Sequence, residues 1–319
     1  MSDVLLPVGV VGVGSLGFHH ARLYAALPGA RLVGVYDARR ERADQVAALV
    51  GTRAFPTLTR LLDHVDAVSV VVPTRAHRDV AMAALARGRH VLVEKPLAET
   101  VPEAESLIEA ADRAGVVLQT GHVERFNAAV RAVAPYLETP RSIQTERAAP
   151  FQARGSDVTV VLDLMIHDLD LVLALVREPV VSVEASGIGV RTATVDAATA
   201  RLVFASGVVA TLQASRLAPA RVRRISIVQA NGRLMLDLAA GRGTFVRTGA
   251  DPADARSVAP IPPVDRPDAE PLALELESFV RAARTGTPPP VSGRDGLAAL
   301  RLAHQIHDAT ALAPALAMA

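Results

Sequence analysis

Apolar residues over the first 121 positions fall into short β-branched runs that alternate with longer stretches of helical spacing. Val8-Gly9-Val10-Val11-Gly12 is a run of the first kind. Residues 15–27 follow, with Leu16, Leu23 and Leu27 set among small residues at helical intervals. The alternation continues. Strands are predicted at 31–36, 67–72, 90–93 and 116–119, and helices at 39–50, 58–64, 78–87 and 102–114, two of them closed by Gly88 and Gly115. Strands alternating with helices at this spacing predict βαβ units and a parallel sheet.

The pattern changes after Gly121. A helix is predicted at 127–136, a strand at 142–148 and a strongly apolar helix at 163–176. Alternating runs at 180–190, 197–204, 208–215 and 224–228 come next. They are joined by turns such as Ala205-Ser206-Gly207 and Ala230-Asn231-Gly232, and so predict hairpins. Residues 251–271, rich in Pro, Asp and Ala, predict an exposed loop before two closing helices at 272–284 and 294–312. The fold class is therefore α/β. A dinucleotide-binding Rossmann-type domain is expected over 1–121. An α/β domain with a large, mainly antiparallel or mixed open sheet is expected over 122–319.

Composition narrows the function. A chain of 319 residues suits two domains of ~150 each. A net charge of +1 exerts no long-range pull on nucleic acid or an anionic membrane, and 3% aromatics argue against a base-stacking surface. The absence of cysteine excludes disulfides, thiolate metal sites and cysteine nucleophiles. No signal peptide is read at Met1–Pro7 and no run approaches ~20 apolar residues, so a cytoplasmic protein is expected. One count is sharper. Lys95 is the only lysine among 34 Lys and Arg residues. Ammonium is compact and its pKa can be lowered, whereas guanidinium stays charged, so the lone lysine reads either as chance sampling or as a position where arginine would not serve.

Three motifs carry chemistry. Gly12-Val13-Gly14-Ser15-Leu16-Gly17 fits G-x-G-x-x-G, after a strand and at the start of a helix. There Gly12 allows the tight turn, Gly14 lets a pyrophosphate approach the backbone, and Gly17 lets helix and strand pack closely. The helix N-terminus then favours the anion. Asp37 closes the second strand, where a carboxylate binds the adenosine ribose hydroxyls and repels a 2′-phosphate. NAD is thus favoured over NADP, although Arg39 and Arg40 stand close enough to weaken the preference. Glu94-Lys95-Pro96 ends the 90–93 strand, on the side of a parallel sheet where ligands sit. Asp163 and His167, four apart, share one helix face, so the histidine is a candidate general base oriented by the acid. Alone, D-x-x-x-H is more often helix-start acids and a core histidine. No cluster with metal-ligand spacing accompanies it, and no metal is expected.

Taken in order, these pieces resemble the Gfo/Idh/MocA family of NAD(P)-dependent sugar oxidoreductases. The resemblance rests on the glycine loop with His20, on Val72-Pro73-Thr74 with His77, on Gly88 to Leu97 around Glu94-Lys95-Pro96, and on Asp163/His167. Arg75-Ala76 departs from the asparagine and bulkier residue of many members. The resemblance implies cofactor contacts from Pro73, Thr74, His77, Glu94, Lys95 and Pro96. Within the family, Gly121 to Asn127 and Asp163 to Asp170 look like the branch that oxidises C3 of UDP-N-acetylglucosamine to a 3-keto nucleotide sugar for later amination. That branch implies substrate contacts from Lys95, His122, Arg125, Asn127, Arg154 and His167, with Arg147 and Arg216 as further cations for a diphosphate. Either His167 or Lys95 could be the base. An inositol or other free polyol is the alternative substrate, and a non-catalytic NAD(H)-binding regulator the alternative class. A homodimer or homotetramer through the second sheet is expected, because a one-sided sheet needs its apolar face covered.

Overall fold

The structure, a computed structural model, describes residues 5–152, 158–249 and 258–311. The chain divides into two compact units, Met1–Val123 with Ala269–Leu300, and Glu124–Asp268 with Arg301–Ala319. Residues 1–4 and 251–257, which carry parts of the expected N-terminus and loop, lie outside the described residues, as does Arg154.

The first unit winds as β1 (Leu6–Val11), α1 (Ser15–Ala26), β2 (Ala30–Tyr36), α2 (Arg40–Val50), β3 (Arg53–Ala54), α3 (Leu58–Leu62), β4 (Ala67–Val70), α4 (His77–Leu85), β5 (His90–Glu94), α5 (Val101–Ala114) and β6 (Leu118–Gly121). Every strand pairing is parallel, in the order β3-β2-β1-β4-β5-β6. The chain thus crosses from one half of the sheet to the other between β3 and β4, which opens a crevice at the carboxyl ends of β1 and β4. Strand β4 is buried along its whole length, as a central parallel strand covered on both faces must be. The two-residue β3 is too short to show any periodicity in the sequence.

The second unit holds α6 (Ala128–Val133), β7 (Pro140–Ala148), a π-helical turn at Val161–Met165, α7 (Ile166–Val176), β8 (Val180–Ile188), β9 (Ala197–Phe204), β10 (Val209–Ser215), β11 (Val222–Gln229), β12 (Gly232–Asp237), β13 (Arg242–Arg247) and β14 (Val258–Pro260). Among the described residues these strands form one sheet, ordered β14-β13-β12-β11-β7-β10-β9-β8. It is mixed: β7 and β10 run parallel, and every other pair is antiparallel. Ile143, Leu202, Leu212, Ile225 and Leu234 alternate onto the buried face, and α7 contributes Ile166, Leu169 and Val172 to the core. The unit's own helices therefore cover the apolar face. The other face is mixed, with Gln144, Glu146, Arg201, Gln213, Arg224 and Arg233 exposed beside the exposed apolar Ile188, Val228 and Met235.

The last two helices are α8 (Pro271–Thr285) and α9 (Gly293–Ala311). A single division after residue 121 puts both in the second domain. The structure instead returns α8 and the start of α9 to the first unit. Leu276, Phe279 and Val280 sit at i, i+3 and i+4, and are buried with Val8, Val10, Tyr24 and Val46. The amphipathic stripe of α8 is plain in the sequence, but which sheet it covers is not.

Candidate active site

The glycine loop leaves β1 through Gly12, whose φ of +85° is a left-handed conformation that favours glycine. A Cβ on Gly17 would overlap the Gly12 carbonyl oxygen, so helix α1 is pressed onto the loop. Gly14 differs from both. Nothing stands within 4 Å of where its Cβ would be, so a cradle lies open beside the backbone. The first turn of α1 has no side-chain cap and no acidic residue, although Ser15 and Leu16 are exposed there. Its N–H groups are left for an anion. Helix α5, by contrast, is closed by a Thr100/Glu103 capping box. These residues fit a dinucleotide pyrophosphate.

Asp37 stands beside that loop. Val13 N–H donates to its Oδ2 at 2.9 Å and Arg39 N–H to its Oδ1 at 2.9 Å, which fixes the carboxylate at the end of β2. The Arg39 side chain is 75% exposed with its Nε 3.8 Å from Asp37, a pair that solvent screens. Arg40 donates through Nε to both oxygens of Asp44. Sequence reasoning missed Arg42. Its Nε donates to the Val13 carbonyl at 2.7 Å and its Nη2 to the Gly14 carbonyl at 3.2 Å, so the loop is clamped from α2. No signal marks it in a chain so rich in arginine.

The carboxyl ends of the neighbouring strands β4 and β5 carry the next residues. Pro73 and Thr74 open a short 3-10 turn after β4. His77, expected among the cofactor contacts, is buried, and its Nδ1 lies 2.8 Å from the Pro96 carbonyl and its Nε2 2.9 Å from the Val72 carbonyl. A neutral ring donates to only one of them at a time. Burial lowers the His77 pKa. The ring thus ties the β4 loop to the β5 loop and has no nitrogen left for a ligand. Glu94 is also buried. His20 Nε2 lies 3.1 Å from its Oε1, and Lys95 N–H donates to its Oε2 at 3.1 Å. Burial alone would raise the Glu94 carboxyl, but the His20 hydrogen bond and charge, with Lys95, hold it below the ordinary carboxylate range. Glu94 and His20 therefore anchor the backbone at Lys95, whose side chain is half-buried. His122, just beyond β6, is buried as well.

In the second unit, Asp163 lies in the π-helical turn and His167 in the first turn of α7, both half-buried. Such turns recur at functional sites. The neighbouring acids are structural. Arg147, 3% exposed, donates through Nε and Nη2 to Asp168 at 3.0 and 2.8 Å and through Nη1 to Glu124 at 2.8 Å. Burial would lower the Arg147 pKa, but Asp168 and Glu124 raise it, and the fork geometry is that of a charged pair. Burial raises the Asp168 carboxyl against the pull of Arg147.

Three expected substrate-facing residues are otherwise engaged. Arg125 grips Asp170 through Nε at 2.6 Å and Nη2 at 2.8 Å. Asn127 caps α6 by accepting from Ala129 N–H, and donates to Glu124 and the Leu238 carbonyl. Arg216 is buried and donates to the Val158 carbonyl, next to Asp196. Asp196 holds the 190–192 loop through three backbone N–H groups and the Thr192 hydroxyl. Burial would raise its pKa, but these donors keep it at about 2.

The chain as a whole has known relatives. The Gfo/Idh/MocA oxidoreductase model, described as an NAD-binding Rossmann fold, matches residues 6–122, and the GFO/IDH/MocA C-terminal domain model matches 113–235. The chain is 38% identical over 303 residues to UDP-N-acetylglucosamine 3-dehydrogenase of Acidithiobacillus ferrooxidans, covering 93% of this chain and 95% of that protein. A solved structure of that enzyme superposes with a TM-score of 0.91 at 37% identity, covering 96% of this chain and 97% of the other. An NAD-dependent scyllo-inositol 2-dehydrogenase of Bacillus subtilis is 27% identical over 312 residues, covering 90% of this chain and 88% of that one.

Proposed function

Because the chain belongs to the Gfo/Idh/MocA family of NAD-binding oxidoreductases, we propose that it oxidises C3 of a UDP-N-acetylglucosamine-type nucleotide sugar to the ketone. The single observation that carries the substrate is the 38% identity to an enzyme of that name over nearly the full length of both chains. The product would be a 3-keto nucleotide sugar, a substrate for amination. No helix among the described residues is long and apolar enough to cross a membrane, and the reading takes the cytoplasm as the place of work. Self-association through the second sheet, as a dimer or tetramer, is part of the same proposal. It would use the outer face, where Ile188, Val228 and Met235 are exposed among polar residues, since α7 already covers the inner one; light scattering on the purified protein would measure it, and a monomer at micromolar concentration removes it.

NAD, when bound, supplies the acceptor for the two electrons of the C3–H bond. The chain's own residues supply the rest. Lys95 is assigned to hold the C3 oxygen and offset its charge as the O–H bond breaks. His167 is assigned to take that proton, with Asp163 orienting the ring. A lysine base with a supporting histidine is the alternative division of roles. His122 is assigned to the sugar. Asp37 is assigned to the adenosine ribose, and the Gly12–Gly17 loop to the pyrophosphate.

Two experiments test the reading. UDP should inhibit competitively against the nucleotide sugar, and the inhibition should weaken as salt screens phosphate–arginine pairs. A free inositol oxidised with no effect of UDP would replace this substrate by the polyol, and no NADH formed with any sugar would replace the enzyme by an NAD(H)-binding regulator. The cofactor is the second test. NAD should give much the higher kcat/KM, because the Asp37 carboxylate repels a 2′-phosphate while Arg40 is bound to Asp44. Equal or better turnover with NADP would mean that Arg39 or Arg40 overrides Asp37.

A further inference from the structure

Three arginines gather at one end of the second unit's sheet. Arg147 on β7 and Arg223 on β11 are directly opposite each other in the antiparallel register. Opposite residues share a sheet face, and like charges so placed repel. Arg221 lies one residue ahead of β11, two positions from Arg223, and so belongs to the same face as the strand's alternation continues.

Two carboxylates answer these three cations. Asp168 spends both oxygens on Arg147. Glu124 shares its Oε1 between Arg147 Nη1 at 2.8 Å and Arg223 Nη1 at 3.2 Å, and its Oε2 accepts from Asn127. Arg221 makes no ion pair among the described residues and its side chain is exposed. The Arg223 side chain is 36% exposed, whereas Arg147 below it is 3% exposed. Burial lowers the Arg223 pKa; Glu124 opposes this, and Arg147 and Arg221 lower it further. One positive charge is left over at the rim, with two guanidinium groups facing solvent.

The position is informative as well. Asp168, which grips Arg147, directly follows His167, so a single carboxylate joins the arginine group to the turn that bears the proposed base. Of the arginines expected to bind a diphosphate, the described ones are committed elsewhere, Arg125 to Asp170, Arg147 to Asp168 and Glu124, and Arg216 to the Val158 carbonyl.

We propose that Arg221 and Arg223 form the subsite that takes the diphosphate of the nucleotide sugar. The inference rests on the nucleotide-sugar reading and adds to it the residues that would separate such a substrate from a free polyol. A diphosphate offers several anionic oxygens to two planar forks, which is the geometry guanidinium recognises best. A neutral sugar offers no charge to offset the surplus.

The test is calorimetric binding of UDP, inorganic pyrophosphate and uridine to the wild type, Arg221→Ala and Arg223→Lys, with thermal unfolding as the check on folding and NADH binding alongside. Charged hydrogen bonds of this kind should make the UDP Kd rise about ten- to a hundredfold in each variant. Pyrophosphate should weaken in parallel, uridine and NADH should bind as before, and the dependence of UDP binding on salt should flatten. Arg223→Lys keeps a cation opposite Glu124, and the exposed Arg221→Ala stands alone as the test if position 223 does not tolerate change. UDP bound equally by wild type and both variants would overturn the subsite and leave the nucleotide-sugar reading intact. Parallel losses for UDP and uridine would overturn it too, since the effect would then be on the fold. A wild-type protein that binds no UDP would remove the nucleotide-sugar reading itself and the subsite with it.

Discussion

His167→Ala is expected to lower kcat by about 10²–10⁴-fold while NADH binding stays as it was, the ordinary cost of removing a general base. Oxidation of a secondary alcohol must move a proton off oxygen as the C–H electrons leave. Without a positioned base that proton passes to water, and the alkoxide forms uphill. His167 suits the role by its place at the start of α7, half-buried and four residues after Asp163. The residues that fit the dinucleotide belong to the other unit, so their affinity should not change. Steady-state kinetics with a fluorescence titration of NADH separates the two quantities. The acid limb of the wild-type kcat/KM profile, where a histidine base becomes protonated, should disappear in the variant. A variant with near-normal kcat would move the base to Lys95.

Lys95→Arg keeps the charge, and on an open surface it would cost almost nothing. At the proposed site the loss in kcat/KM should be at least about 10²-fold, with folding and NADH binding retained. Guanidinium is wider and planar, so it would push aside the hydroxyl that must present its proton to His167. It also holds its proton at any working pH and can join no relay. The backbone here has little room to adjust, because Glu94 accepts the Lys95 N–H and is itself held by His20 in a buried pair. Turnover near the wild-type level in Lys95→Arg would mean that the chain's one lysine has no part in the chemistry.

Much of the first unit was legible because its signals are local. A Gly-x-Gly-x-x-Gly loop must follow a strand and open a helix to work at all, and β1, α1 and the acid at the end of β2 stand where that rule requires. The mixed second sheet was half legible. Strand β9 alternates cleanly over eight residues and falls at the expected 197–204. Strands β12 and β13 went unread, since each is six residues long and the segment between them is rich in Ala and Gly. The 251–271 loop likewise hid the three-residue edge strand β14.

The sequence by itself determined the class of fold and the glycine-rich loop, and it marked the acid at the end of β2 and the few residues able to do proton chemistry, because glycine, lysine and histidine have properties no other residue supplies. Tertiary structure alone decided what the arginines do. One guanidinium looks like another along the chain, and its role depends on which carboxylate or carbonyl folding sets beside it. Arg42 turned out to clamp the glycine loop, Arg125 and Arg147 to hold buried acids on α7, and Arg216 to bind a backbone carbonyl. Helix α8 was settled the same way: its apolar stripe needed a core, and only long-range packing chose the first unit's.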